Sequence, residues 1–181
     1  MAIGTATLPL FTPRAGSSSG GGGGGSSLIW SEPANAPVLD FQNNAEVYLF
    51  GAGLAQELYT TIRIPSSYSA GGQINLRVIA YSPDSSGNFL MRAQSTLIRT
   101  GTDAISSTTN QRTATNTAIG AGAGTVNKPQ SILLDVTSSS GQVNSVAVAS
   151  GDLLIIRFYR DTDTATSDVA FLFQSCDISF S

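Results

Sequence analysis

The sequence predicts an all-β fold, an antiparallel double-sheet sandwich, on three observations. Apolar residues recur in short runs with a period of two, clusters of Gly, Pro, Asn, Asp and Ser separate those runs, and no stretch of ten residues carries a helical period. Runs of this kind lie at 28–30, 38–42, 45–50, 56–64, 73–81, 89–99, 131–137, 143–148, 152–160 and 169–180.

Each run reads as a strand for a stated reason. Leu58, Thr60, Ile62 and Ile64 share one face, with Tyr59, Thr61 and Arg63 on the other. Ile74, Leu76, Val78 and Ala80 form a second inward row, Ile132, Leu134 and Val136 a third, and Leu154, Ile156 and Phe158 a fourth. Leu172, Ile178 and Phe180 line the last run. The breaks carry turn chemistry: 65–72 (PSSYSAGG), 83–87 (PDSSG) and 138–141 (SSSG) supply Pro with a preset φ and Gly that accepts φ > 0. Eight to ten strands at this spacing fit a jelly-roll-like sandwich.

The chain divides into two regions. Residues 1–27 place Ile3, Leu8, Leu10 and Phe11 among Pro9 and Pro13, which favour an extended path, and then run through six glycines and flanking serines. A Gly/Ser run is flexible coil in isolation, because nothing offsets its conformational entropy. This is expected to be an extended arm that orders on a neighbouring subunit, ahead of a sandwich domain over 28–181. Residues 100–128, rich in Thr, Asn, Ala and Gly, read as a long polar loop that packs on a neighbouring copy.

Charge is sparse. Charged residues make up 12% of the 181, about half the usual share, and Ser, Thr, Asn, Gln and Gly supply the polar balance. Such a surface suits burial in an assembly. With eight Arg scattered from Arg14 to Arg160, one Lys and a net charge of −3, the chain has no cationic cluster to neutralise phosphates, so no nucleic-acid partner is expected. No window approaches the ~20 apolar residues of a membrane span, and residues 1–11 lack the basic and apolar regions of a secretory signal. No membrane partner is expected, and folding in a cytoplasm is. Cys176, the single cysteine, reads as a buried structural thiol.

The chemistry-bearing residues point away from catalysis. There is no histidine, which removes the commonest general base, the Ser-His and Cys-His nucleophile pairs and most catalytic zinc sites. Of three glutamates, Glu46 and Glu57 are the pair that would have to converge in a glycosidase, but solvated strand ends produce such pairs routinely. Asp161, Asp163 and Asp168 on one loop offer oxygen ligands for calcium, yet lack the glycine and terminal glutamate of an EF-hand loop, and a solvated turn is the simpler reading. The glycine run lacks the Gly-Lys-Ser/Thr of a phosphate-binding loop. Trp30, Tyr48, Tyr59, Tyr68, Tyr81 and Tyr159 offer rings for stacking on sugars, although scattered strand aromatics are more often core or subunit contacts. The chain is expected to be no enzyme, with no cofactor and no resident metal.

Two runs are apolar on both faces. Phe171 and Phe173 oppose Leu172 and Ile178, and Leu153 and Ile155 oppose Leu154 and Ile156. Strands of this kind are buried on both faces. Leu153, Ile155, Phe171 and Phe173 are therefore expected to meet a symmetry-related copy around a three-fold axis, giving a homotrimer.

The C-terminal run 151–161 (GDLLIIRFYRD), then 168–173 (DVAFLF) and 178–180 (ISF), resembles tailed-bacteriophage virion jelly-roll proteins, in which a Gly-Asp-led apolar strand ending in Arg-Asp precedes a loop and a closing apolar strand. Ile62-Arg63-Ile64-Pro65 with Tyr68 and Gly71-Gly72 is similar to a turn of the same proteins. The resemblance covers about residues 45–180 and excludes the arm. It implies a place on the virion surface: a capsid decoration (cement) protein, whose arm residues Ile3, Leu8, Leu10 and Phe11 would insert into a neighbouring major capsid protein subunit. The alternative is a tail, fibre or collar component with a receptor- or glycan-binding head.

Overall fold

The computed structural model describes residues 28–42, 44–82, 88–115, 118–120, 126–161 and 168–181. The arm residues at 1–27 and most of the Asp161–Asp168 loop lie outside these. The described chain is almost entirely strand. β1 (Val38–Gln42) and β2 (Ala45–Phe50) form a hairpin closed through Asn44, whose φ of 68° is a left-handed conformation that Asn tolerates. β3 (Glu57–Arg63) crosses to the opposite layer, β4 (Ile74–Tyr81) returns, and β5 (Asn88–Ile98) crosses again. β6 (Gln111–Thr113) and β7 (Ala118–Gly120) both pair with β5, and β8 (Gln130–Asp135) pairs with β4. β9 (Gln142–Val143) and β10 (Val146–Ala147) make a minimal hairpin through Asn144 and Ser145, both at positive φ. β11 (Leu153–Arg160) inserts between β3 and β5, while β12 (Val169–Phe171) and β13 (Asp177–Phe180) lie along β4.

The first sheet thus runs β1-β2-β12-β4, with β13 collinear with β12 and β8 on the far edge of β4. The second runs β3-β11-β5, with β6 and β7 along the outer edge of β5. Every described strand pairing is antiparallel, and successive long strands alternate between layers. The fold is a jelly-roll-like antiparallel sandwich, as the alternation of apolar residues predicts. The inward rows meet as expected: Leu154, Ile156 and Phe158 face Leu76, Val78 and Leu134 in one core. At its centre Phe158 lies 4.5 Å from Phe171, 5.6 Å from Phe50 and 5.9 Å from Trp30 between ring centroids, in tilted or edge arrangements.

Several boundaries differ from the sequence reading. The run 169–180 is two strands, interrupted by a 3-10 turn at Phe173–Ser175. Five residues of chain separate Phe171 from Asp177, but only two separate their partners Ala80 and Arg77, and the turn absorbs the excess. The run 143–148 folds back on itself, and 28–30 contributes only a bridge next to it, Ser31 to Tyr59. Residues 100–128 are not one open loop, because they hold β6 and β7. One glycine is required by its surroundings. Gly141 has φ 65°, and a Cβ there would lie 2.5 Å from the Tyr68 hydroxyl, which itself donates to the Gly72 carbonyl at 2.6 Å.

Candidate functional site

The lateral edge formed by β1 holds three of the exposed large apolar side chains of the described surface. β1 pairs with β2 along one side only, so alternate residues direct N–H and C=O groups away from the sheet. Its apolar side chains are open to solvent: Leu39 and Phe41 on one face are 46% and 70% exposed, and Val38, beside Asp40 and Gln42 on the other, is 63% exposed. Sequence reasoning recognised this strand but nominated none of these residues. Its alternation looks like that of an inward-facing strand, and only the topology puts it at an edge.

The segment before β1 explains how the edge is positioned. Leu28 and Trp30 pack on the core, Ser31 bridges Tyr59, Asn35 accepts from the Glu57 amide at 3.3 Å, and Ala36 accepts from Gln56. The chain therefore runs along the free side of β3 and crosses directly into β1. The point from which residues 1–27 depart and the open side of β1 lie on the same flank of the sandwich.

The outer face of the second sheet is a different kind of surface. Leu153, Ile155, Arg157 and Tyr159 point outward from β11 and are half-buried there. Across the register, Leu153 lies between Arg63 and Ile98, Ile155 between Thr61 and Thr96, and Arg157 between Tyr59 and Gln94. Arg157 pairs with Glu57 and sits 4.4 Å from the Tyr159 ring centroid, while the Tyr59 hydroxyl donates to Glu57 at 3.2 Å. Burial, and secondarily the Glu57 carboxylate, raises the Tyr59 phenol above its ordinary pKa, so it stays a hydrogen-bond donor. Ile155 is thus flanked by two threonines and Leu153 by Arg63 on one side and Ile98 on the other, a narrow apolar strip rather than a wide apolar sheet.

The other predicted interface residues separate. Phe171 is fully buried in the aromatic centre of the core, so the expectation that it meets another copy is corrected: β12 directs it inward against Phe158, Phe50 and Trp30. Phe173 lies in the 3-10 turn and stacks on Tyr48 with centroids 4.7 Å apart. The chain also covers part of the opposite face itself, since Val47, Tyr81 and Ala170 form a second buried cluster and the Tyr81 hydroxyl donates to Gln42 at 2.5 Å. Ile3, Leu8, Leu10 and Phe11 lie outside the described residues.

The carboxylates serve structural bonds. Tyr48 donates to Glu32, and its phenol is pushed up by burial first and by Glu32 second. Glu46, on β2, accepts from Gln174 at 2.7 Å, whereas Glu57, on β3 in the other sheet, holds Arg157. Asp161 pairs with Arg92, and Asp168 accepts from the Ala52 amide at 3.3 Å. Among the described residues no group of three His, Cys, Asp or Glu side chains could hold a metal, and no helix is long and apolar enough to cross a membrane. Residues 162–167, on which the calcium reading turns, lie outside the described set. Burial pushes the Cys176 thiol up to about 12, leaving it protonated and inert. A shallow groove of about 270 Å³ lies between Arg63–Ser66 and Ser150–Gly151, lined by backbone and small side chains.

No protein-family model and no curated protein sequence matches the chain. Among solved structures, the chain is similar to the carbohydrate-binding module TmCBM61, solved in complex with β-1,4-galactotriose, at 11% identity and a TM-score of 0.42 over 86% of this chain and 90% of that one. It is also similar to the enzymatically active domain of bacteriophage CBA120 tailspike protein 4, at 12% identity and a TM-score of 0.41 over 87% of this chain and 18% of that one. Likeness at this level says nothing about what the chain binds.

Proposed function

We propose that this is a non-catalytic structural virion protein, a capsid decoration (cement) protein whose residues 1–27 bind neighbouring capsid subunits while the sandwich sits on the virion surface. The observation that carries the reading is the join of two unlike parts: an apolar segment with Ile3, Leu8, Leu10 and Phe11, then a Gly/Ser spacer, then a rigid sandwich whose glutamates are engaged in structural pairs. An arm that orders on binding can wrap a large surface, provided its contacts offset the ordering entropy. Under this reading the chain is made in the host cytoplasm, and copies associate, as a trimer, through the outward residues Leu153 and Ile155.

The test is binding of purified full-length protein to capsids stripped of accessory proteins, beside a variant with Ile3, Leu8, Leu10 and Phe11 all replaced by Ser. Saturable binding by the first and loss of about a hundredfold or more in the second is expected if the arm supplies the apolar contact area. Absence of binding by the full-length protein would move the assignment to a tail, fibre or collar component. One observation favours that second reading: Tyr59, Tyr159, Arg157 and Gln94 share the outer face of the second sheet, a mix of rings and planar polar groups suited to a glycan. A glycan array probed with wild-type protein and Tyr159→Ala separates the two.

A further inference from the structure

We infer that, in the isolated protein, the open edge of β1 is the docking site for the chain's own residues 2–8, which add to the first sheet as an antiparallel or parallel edge strand beside β1. The edge asks for a strand of a particular kind. It offers unpaired backbone groups, exposes Leu39 and Phe41 on one face, and sets Val38 beside Asp40 and Gln42 on the other, so an incoming strand needs apolar side chains on the first face, small or polar ones on the second, and no negative charge. Residues 2–8 (AIGTATL) meet that description: no charge, no proline, and the β-branched Ile3, Thr5 and Thr7 alternating with Ala2, Gly4, Ala6 and Leu8. Pro9 lacks an N–H and bounds the segment that can pair.

Chain length selects the occupant. The described chain begins at Leu28 on the flank of β3, and Ala36 beside Gln56 shows how short the path from that flank to β1 is. The span from Leu28 to the far end of β1 is about one sheet separation of ~10 Å plus a strand length of ~17 Å. The spacer at 9–27 is Gly- and Ser-rich, and coil of this composition and length has an r.m.s. reach of roughly 20–25 Å. Reach matches span, the condition in which a tethered segment has its highest effective concentration, on the order of millimolar. A second copy's β1 fits the same edge poorly, because a two-fold pairing centred on the strand sets Asp40 against Asp40.

The inference goes beyond the decoration reading and does not depend on it. If both hold, the arm leaves β1 when it engages the capsid, and the exposed edge is then the surface left behind.

The test is amide hydrogen exchange on the full-length chain and on the full-length variant Thr5→Pro/Ala6→Pro, each at two concentrations, with the mass in solution measured alongside. The adjacent substitutions remove one donor from each side of the segment, so in either register one proline faces β1 and interrupts the pairing without touching the sandwich. In the wild type, alternate amides of β1 are expected to exchange about tenfold or more slowly than in the variant, independently of concentration and with the same mass in solution for variant and wild type. Equal exchange in the two proteins would overturn the docking. Protection that appears only on concentration, with a doubled mass, would overturn the assignment to the chain's own segment and place the arm on a second copy.

Discussion

The two lateral edges of the sandwich are built from opposite chemistry. At one, β8 of the first sheet and β6 of the second are stapled by polar bonds. Arg112 reaches the backbone and carboxylate of Asp135, Asp135 also accepts from the Thr115 amide and hydroxyl at 2.7 Å each, and Ser95 donates to the Val136 carbonyl at 2.5 Å. At the other, β1 carries exposed apolar side chains and, among the described residues, no strand beyond it. The difference teaches that burial here follows from where a strand lies, not from how apolar it is. Charged Asp135 is buried and phenyl Phe41 is not.

Breaking the stapled edge should have the largest effect. Asp135→Ala strands the Arg112 guanidinium between the sheets and removes the acceptor for Thr115. Loss of one partner from a buried pair costs about 3–5 kcal/mol, and equilibrium denaturation should find a destabilisation near the lower end, since both side chains keep some solvent contact. Replacing both partners, as Asp135→Leu with Arg112→Leu, should recover most of it, because desolvation of an unpaired charge is then absent. A single variant no less stable than the wild type would mean the staple does not hold the two sheets together.

The same contrast shows how far the sequence could be read. Inward rows such as Leu154-Ile156-Phe158 were legible because side chains alternate faces along any strand, and the burial of β11 alternates over its whole length even where both faces are apolar. Phe171 was misread as an interface residue because the pattern does not say which of two apolar faces turns inward. That depends on β12 lying between β2 and β4, a long-range pairing. The Arg112–Asp135 staple left no local signal, since 23 positions separate its partners and each looks like an ordinary surface charge. The exposure of Phe41 was equally hidden.

At the open edge the effect should be small. Phe41→Thr removes a ring that is already 70% exposed and puts a β-branched residue suited to a strand in its place. In the Thr5→Pro/Ala6→Pro background, where residues 2–8 cannot cover the edge, stability should change by no more than about 0.5 kcal/mol in the same denaturation experiment, as for surface positions generally. With residues 2–8 unaltered the loss should be larger, because the docked segment covers Phe41 in solution; equal small losses in the two backgrounds would mean that the edge stands open. The variant thus sharpens the contrast from the other side.

The smallest effect belongs to the turn that leads into the stapled edge, and it is visible only in acid. Asp103 accepts from the Arg99 side chain at 2.8 and 3.0 Å, from the Arg99 amide at 2.9 Å and from Asn110 at 3.3 Å. These bonds, the Arg99 side chain first among them, hold its carboxyl down at about 2. A carboxyl whose pKa is lower in the folded than in the unfolded chain adds stability above its unfolded value, about 3.9, and that contribution is lost as pH falls through the folded value. The Asp103 carboxyl resonance should therefore titrate with a midpoint near 2, and Asp103→Asn should remove this part of the acid dependence between about pH 4 and 2. A midpoint close to 3.9 would mean that the Arg99–Asp103–Asn110 bonds open in solution, leaving the turn before β6 less firmly held than the staple that follows it.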